Sequence, residues 1–176
     1  MSTSAGTFKN YIRPVVILVV ICLIVGGLLA VINHVTAPVI AENERIAADE
    51  TYHAVLPEAD TFTELPCDVE GVTTFLKADN DAGYVVIANA RGYGGDVPAA
   101  VSFDNDGAII NVIMMDNDET PGLGQKIVNE SFYGQFAGIE AKEFTIDDID
   151  AISGATISSK AAVKAINRAI EAYNGR

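Results

Sequence analysis

Residues 84–115 read YVVIANARGYGGDVPAAVSFDNDGAIINVIMM, and the reading of this stretch decides the fold. Residues 84–90, 97–103 and 108–115 are dense in Val, Ile, Ala and aromatic side chains, the composition of strands that pack at least one face. Asp104-Asn105-Asp106-Gly107 separates the last two, and an Asp-Gly between apolar runs is a strong hairpin signal. Between the first two lies the glycine cluster Gly92-Tyr93-Gly94-Gly95. Upstream, residues 72–78 and 84–90 flank the turn-rich 79–83 and predict another hairpin, while 61–71 reads as a mixed connection. Downstream, 116–124 is a polar loop with Pro121 and two glycines. Residues 125–138 predict one or two short helices broken at Gly134, 143–146 a small strand and 147–155 a loop. The last element is a helix over 158–173, whose face Ala162, Ile166, Ala169, Ile170, Tyr173 follows helical spacing, with Gly175 just past its end. An antiparallel sheet with helices to one side makes the class α+β.

The start of the chain obeys a different rule. Residues 14–32 contain no charge and no strongly polar side chain, and 19 residues span roughly 28 Å as a helix, close to the thickness of a bilayer's hydrocarbon core. A cleaved export signal is the competing reading, but its apolar core is ordinarily only about 7–15 residues long. Lys9 and Arg13 precede the apolar run; every acidic residue follows it, the first being Glu42. Of the 11 basic and 24 acidic residues in the chain, nine and 24 lie beyond the run, a formal charge of about −15 there against −13 overall. The basic flank belongs in the cytoplasm. The expected organisation is a cytoplasmic N-terminus 1–13, a transmembrane helix 14–35, a helical stalk 36–57 ended by Pro57, and a domain 58–176 on the outer face of the cell (inner) membrane.

Composition removes several functions. A strongly acidic chain has no patch with which to release counterions from nucleic acid. Two cysteines, Cys22 and Cys67, and two histidines, His34 and His53, build neither a disulfide framework, an iron–sulfur cluster nor a closed zinc site. No histidine lies in the domain to serve a Ser-His-Asp triad. The runs Asp147-Asp148-Ile149-Asp150 and Asp116-Asn117-Asp118-Glu119 lack calcium-loop spacing and read as solvated loops, so no metal site is expected.

Three loops remain. Asp150 to Ser159 precedes the final helix, where free backbone N–H groups favour an anion; Ser153, Gly154 and Ala155 are small, and Thr156 offers a hydroxyl. Read alone, Ser158 or Ser159 is equally a helix cap. Glu119-Thr120-Pro121-Gly122-Leu123-Gly124 lays peptide groups against a planar ligand, or simply leaves a hairpin. Gly92–Gly95 is either a plain tight loop or one whose glycines let a partner backbone come close while Tyr93 packs on an aromatic ring; it is no dinucleotide fingerprint, since no helix follows.

Asp150-x-x-Ser153-Gly154-Ala155-Thr156 resembles the motif at which a flavin transferase joins FMN to a threonine by a phosphoester. Glu119-Thr120-Pro121-Gly122-Leu123-Gly124 resembles the second signature of the same FMN-binding domain family. In this order, behind one N-terminal anchor, the pair is similar to the G subunits of the Rnf ion-translocating electron-transport complexes, and more distantly to the C subunits of the sodium-pumping NADH:quinone oxidoreductases. The likeness covers essentially the whole chain. It implies covalent FMN on Thr156, a loop shaped by Ser153, Gly154 and Ala155, and an isoalloxazine lined by Glu119, Thr120, Gly122, Leu123 and Gly124, with Lys126 pairing either with the phosphate or only with solvent; Tyr93 of the glycine cluster is a further candidate. It also implies an electron relay with no substrate turnover and no catalytic residue of its own, within a translocase that couples ferredoxin–NAD+ electron transfer to Na+ or H+ movement. The implied partners are the other Rnf membrane subunits, including a second covalent-FMN subunit, a flavin transferase, and membrane lipid. Asn117 stands where the family often has His. The rival is a membrane-tethered FMN-binding sensor or assembly module without electron throughput.

Overall fold

The computed structural model describes residues 4–176. Of the expected flank 1–13, residues 1–3 lie outside the described residues. The first element is α1, Ser4–Val55, a single helix that runs past the expected junction between span and stalk. It is long and apolar enough to cross a membrane, and its large apolar side chains from Val15 to Ile40 are exposed. It ends two residues before Pro57, whose ring disfavours helical backbone in the residue ahead of it. Compactness divides the chain into Met1–Ala48 and Asp49–Arg176, so the last turns of α1 belong with the domain.

The domain is built on a five-stranded antiparallel meander, ordered as in the chain: β1 (Phe62–Glu64), β2 (Val72–Ala78), β3 (Tyr84–Arg91), β4 (Asp96–Phe103) and β5 (Ile109–Met114). β3 and β4 pair along their whole length, from Tyr84↔Phe103 to Arg91↔Asp96, so Gly92–Gly95 is the hairpin turn between them. Side chains alternate across the sheet. Val86, Ala88 and Ala90 of β3, with Val97, Ala99, Val101 and Phe103 of β4, face the final helix α3 (Thr156–Asn174). Val85, Ile87 and Ala100 face the other way, onto Val55, Leu56 and Ala59. Both faces of the central strands are therefore covered, where the sequence predicts helices to one side only. This explains why β3 and β4 read as continuous apolar runs and not as alternating ones. Ser102, fully buried on the second face, donates to the Val55 carbonyl at 2.7 Å and accepts from the Asn111 N–H at 3.1 Å, fastening the end of α1 to the sheet.

Between β5 and α3 the backbone is made of short turns. A 3-10 turn Gly124–Val128, the one-turn α2 (Glu130–Tyr133) and a second 3-10 turn Gly134–Phe136 replace the one or two expected helices. They place Ile127, Phe132 and Phe136 in the core under α3. Residues 143–146 form no strand: Phe144 is held by reciprocal hydrogen bonds with the side chain of Asn167, 2.9 and 2.8 Å, and Ile146–Asp148 is a 3-10 turn. β1, unmarked in the sequence, is an edge strand of three residues, too short for periodicity to register.

Candidate functional site

The three loops singled out in the sequence meet at one end of the sheet. Helix α3 begins at Thr156, two residues before the expected start, with Ala155 as its cap residue and no side chain capping it. Thr156 is the first helical residue and is exposed. Neither serine is a cap. Ser159 donates to the Ala155 carbonyl at 3.1 Å and accepts from Ile152 N–H at 3.1 Å, holding the preceding loop against the helix. Ser158 points inward and donates to Glu119 Oε2 at 2.5 Å. The first-turn amides of α3 thus remain free to meet an anion.

A cleft of about 420 Å³ opens beside Thr156. Its lining comes from all three loops: Tyr93 from the β3–β4 turn; Thr120, Leu123 and Gly124 from the loop after β5; Gly154 through Ser158 from the helix start. Gly154 has φ +81°, a left-handed conformation that glycine adopts without strain, and a Cβ there would sit 3.4 Å from Leu123 Cδ1. The rim is apolar and unusually open: Tyr93 is 71% exposed, Ile157 54% and Leu123 38%. A larger groove, about 810 Å³, runs between residues 143–146 and the flank of α3, away from Thr156; none of the three loop motifs reaches it.

Glu119 stands behind the cleft wall and not in it. It is 1% exposed. Its Oε1 accepts from the N–H groups of Tyr93 (2.7 Å) and Gly94 (3.0 Å), and its Oε2 takes the Ser158 hydroxyl. Burial by itself raises the pKa of this carboxyl. The Ser158 hydroxyl and the backbone N–H groups of Gly94, Tyr93 and Gly95 outweigh that effect, so the group titrates below its ordinary range and is ionised at neutral pH. Asn117 shapes the approach: its Oδ1 accepts from the Glu119 N–H at 3.2 Å and its amide donates to the Met115 carbonyl at 3.0 Å.

Of the residues singled out in the sequence, Tyr93, Thr120, Leu123, Gly124, Gly154, Ala155 and Thr156 share the cleft. Gly122, Ser153 and Lys126 are exposed and lie outside its lining. Ile157 lines the cleft but drew no notice in the sequence. Its signal was there: it is a large apolar residue at the helix start that falls off the buried stripe of α3.

Comparison with known proteins supplies the family. Residues 92–171 match the FMN-binding domain family, and residues 1–55 match the RnfG N-terminal region. The chain is 32% identical over 161 residues to the G subunit of the proton-translocating ferredoxin:NAD(+) oxidoreductase complex of Clostridium ljungdahlii, covering 88% of this chain and 86% of that one. It is 31% identical to the G subunit of the Na(+)-translocating ferredoxin:NAD(+) oxidoreductase complex of Acetobacterium woodii (89% and 88% covered). It is also 31% identical to the G subunit of the ion-translocating oxidoreductase complex of Methanosarcina acetivorans (93% and 94% covered). The crystal structure of the C subunit of Na(+)-translocating NADH-quinone reductase from Parabacteroides distasonis superposes with a TM-score of 0.48 at 23% identity, over 58% of this chain and 60% of that one. With identities above 30% across nearly its full length, the chain belongs to the family of G subunits of ion-translocating ferredoxin:NAD(+) oxidoreductase complexes.

Proposed function

We propose that this chain is the electron-relay subunit of an Rnf-type ferredoxin:NAD+ oxidoreductase that moves Na+ or H+, and that FMN is esterified through its phosphate to Thr156. The observation that carries the reading is the position of Thr156. It combines an exposed hydroxyl, the first turn of a 19-residue helix and a cleft built from both motif loops. FMN fits what these residues offer. The cleft falls within the range of about 300–1,000 Å³ usual for cofactor sites. The helix start suits a phosphate, and the open apolar rim suits a planar ring.

In this reading the Thr156 Oγ1–phosphorus bond would replace the bond between that phosphorus and the leaving group of an activated flavin donor, the leaving group departing with the flavin transferase and the hydroxyl proton passing to solvent. The first-turn amides of α3 and the helix dipole would favour the phosphate charge. Tyr93, Leu123 and Ile157 supply apolar surface for the ring, and Thr120 and the peptide groups around Gly124 complete the wall. When bound, FMN supplies the redox centre, and the protein supplies attachment, orientation and the surrounding field. A covalent tether suits an outward-facing domain, where lost cofactor is not replaced. The apolar part of α1 spans the membrane over 14–35 with 1–13 in the cytoplasm, and holds 58–176 beside its partner subunits on the outer face. The span carries no ionisable side chain except Cys22 and His34, the latter near its outer end, so ion passage belongs to the partners and not to this chain.

Mass spectrometry of the natively produced protein tests the attachment: the peptide bearing Thr156 should carry one riboflavin phosphate, and an unmodified peptide removes the proposal. The relay is tested in the purified membrane complex. Reduced ferredoxin should reduce the flavin carried by this chain during turnover. A chain that purifies alone, with flavin untouched by turnover, would instead be a tethered sensor or assembly module.

A further inference from the structure

We propose that Glu119 is a positioning residue: it assembles the cleft before any flavin is attached, by drawing three loops onto one buried carboxylate, and does not itself touch the flavin. Its partners are far apart in the chain. Tyr93 N–H lies 26 residues away and the Ser158 hydroxyl 39 residues away. Without Glu119 nothing in their local sequence brings them together. The β3–β4 turn closes on itself through Gly92 N–H to the Gly95 carbonyl at 2.8 Å, which leaves the Tyr93 and Gly94 N–H groups pointing outward in need of an acceptor. Glu119 Oε1 takes both. The fit is tight on either side: a Cβ added at Gly92 or at Gly124 would run into the Glu119 carboxylate. Those glycines are thus room for a side chain from another loop, besides any freedom they give their own turns. Gly124 and Ser158 separate Glu119 from the cleft, and both are among its lining residues. Both carboxylate oxygens are engaged, Oε1 by the β3–β4 turn and Oε2 by Ser158.

The chemistry distinguishes geometry from charge. In Glu119→Gln the side-chain carbonyl still accepts from Tyr93 and Gly94, and its NH2 donates to Ser158, whose hydroxyl turns from donor to acceptor. In Glu119→Leu the volume is kept, but the part-buried N–H groups of Tyr93 and Gly94 and the buried Ser158 hydroxyl lose their acceptor, and the hydroxyl bears the larger desolvation cost.

The role of Glu119 in loop order is independent of the flavin reading; its role in flavin attachment rests on that reading. Two measurements on the full-length protein separate them. The first is amide hydrogen exchange of protein made without the transferase. In Glu119→Leu the amides of Tyr93, Gly94 and Ser159 should exchange about 100-fold faster, while those in the middle of β3 and β4 stay as they were. Glu119→Gln should stay within about threefold of the wild type. Unchanged loop exchange in Glu119→Leu, or equal loosening in Glu119→Gln, overturns the proposal. Should Glu119→Leu fail to fold, Ser158→Ala decides: it should loosen Ser159 and Lys160 while Tyr93 and Gly94 stay protected, and no loosening there is equally fatal. The second measurement is in-gel flavin fluorescence after co-production with the transferase. Glu119→Leu should lose about tenfold and Glu119→Gln should recover most of it. Full labelling of a folded Glu119→Leu overturns the positioning role, whereas a dark wild type overturns the flavin attachment and leaves the exchange result standing.

Discussion

The two ends of helix α3 are held in opposite ways. Its middle and C-terminal half, from Ala162 to Tyr173, lies on the sheet chiefly through apolar, buried side chains, with Tyr173 stacked on Phe103 at 4.5 Å and with hydrogen bonds from Arg168 to the Asn89 carbonyl and from Tyr173 to the Asp104 carbonyl at its margins. Its first turn is held by hydrogen bonds: Ser158 to Glu119, Ser159 to the loop before it. Apolar burial is non-directional and spread over many atoms, so the packed half tolerates small errors. The first turn rests on a few directional contacts, one of them to an ionised group buried among donors, so it is sensitive to small errors in geometry. A site that must accept a large prosthetic group benefits from this division. Its frame is rigid, and its working end is specified by geometry and left open.

The largest expected effect breaks the packed half. Phe103→Ala removes a fully buried ring stacked on Tyr173 and should cost about 3–5 kcal/mol in the chemical unfolding of the domain. A loss below about 1 kcal/mol would mean that the aromatic stack is not what fastens the C-terminal half of α3. Next comes the opposite face of the sheet. Ser102→Ala strands the Asn111 N–H and the Val55 carbonyl and should cost about 1–3 kcal/mol, with faster exchange where α1 ends. If stability is unchanged, water has replaced the hydroxyl and the join is looser than drawn.

Acid sharpens the contrast, because among the described residues only the first-turn region depends on an ionised buried group. Glu119 has its folded pKa below the ordinary 4.5, so the unfolded chain takes up the proton first. Its stabilising contribution is complete above about pH 4.5 and is lost as pH falls through the lower folded value. Amide exchange between pH 5 and 3, corrected for intrinsic rates, should therefore loosen Tyr93 and Gly94 before the centre of β4; simultaneous loosening counts against a local staple. The smallest effect on stability accompanies the largest on the cofactor. Thr156→Ala changes an exposed side chain and should shift the unmodified protein by less than about 0.5 kcal/mol, yet the fluorescent band should vanish from a denaturing gel. A band that persists moves the ester to another residue.

Much of the scaffold was legible before the structure. β2 begins and ends where the sequence predicts, β3, β4 and β5 do so within a residue or two, and the apolar run at 14–32 lies within α1. The misreadings share a cause. β1 is three residues long, and the region 143–146 takes its shape from Asn167 on a distant helix, so neither carries a local period. The sequence starts α3 two residues late because two serines imitate caps while serving as links. Among the motif residues, Thr156 and its neighbours were marked by their resemblance to a known pattern. The burial of Glu119, by contrast, has no local signature, since an acidic residue in a polar loop ordinarily reads as solvated.

By itself the amino-acid order determined the membrane-length helix, the strands and the last helix, because periodicity and turn chemistry act between residues a few positions apart. It also marked three glycine-bearing loops, which a family resemblance, and no local pattern, assigned to one site. Only the folded chain decided how these loops meet, that Ile157 joins their rim and that Glu119 turns inward to bind two of them. Hydrogen bonds between segments 26 and 39 residues apart depend on where the sheet and helix deliver their ends, and no local pattern encodes that.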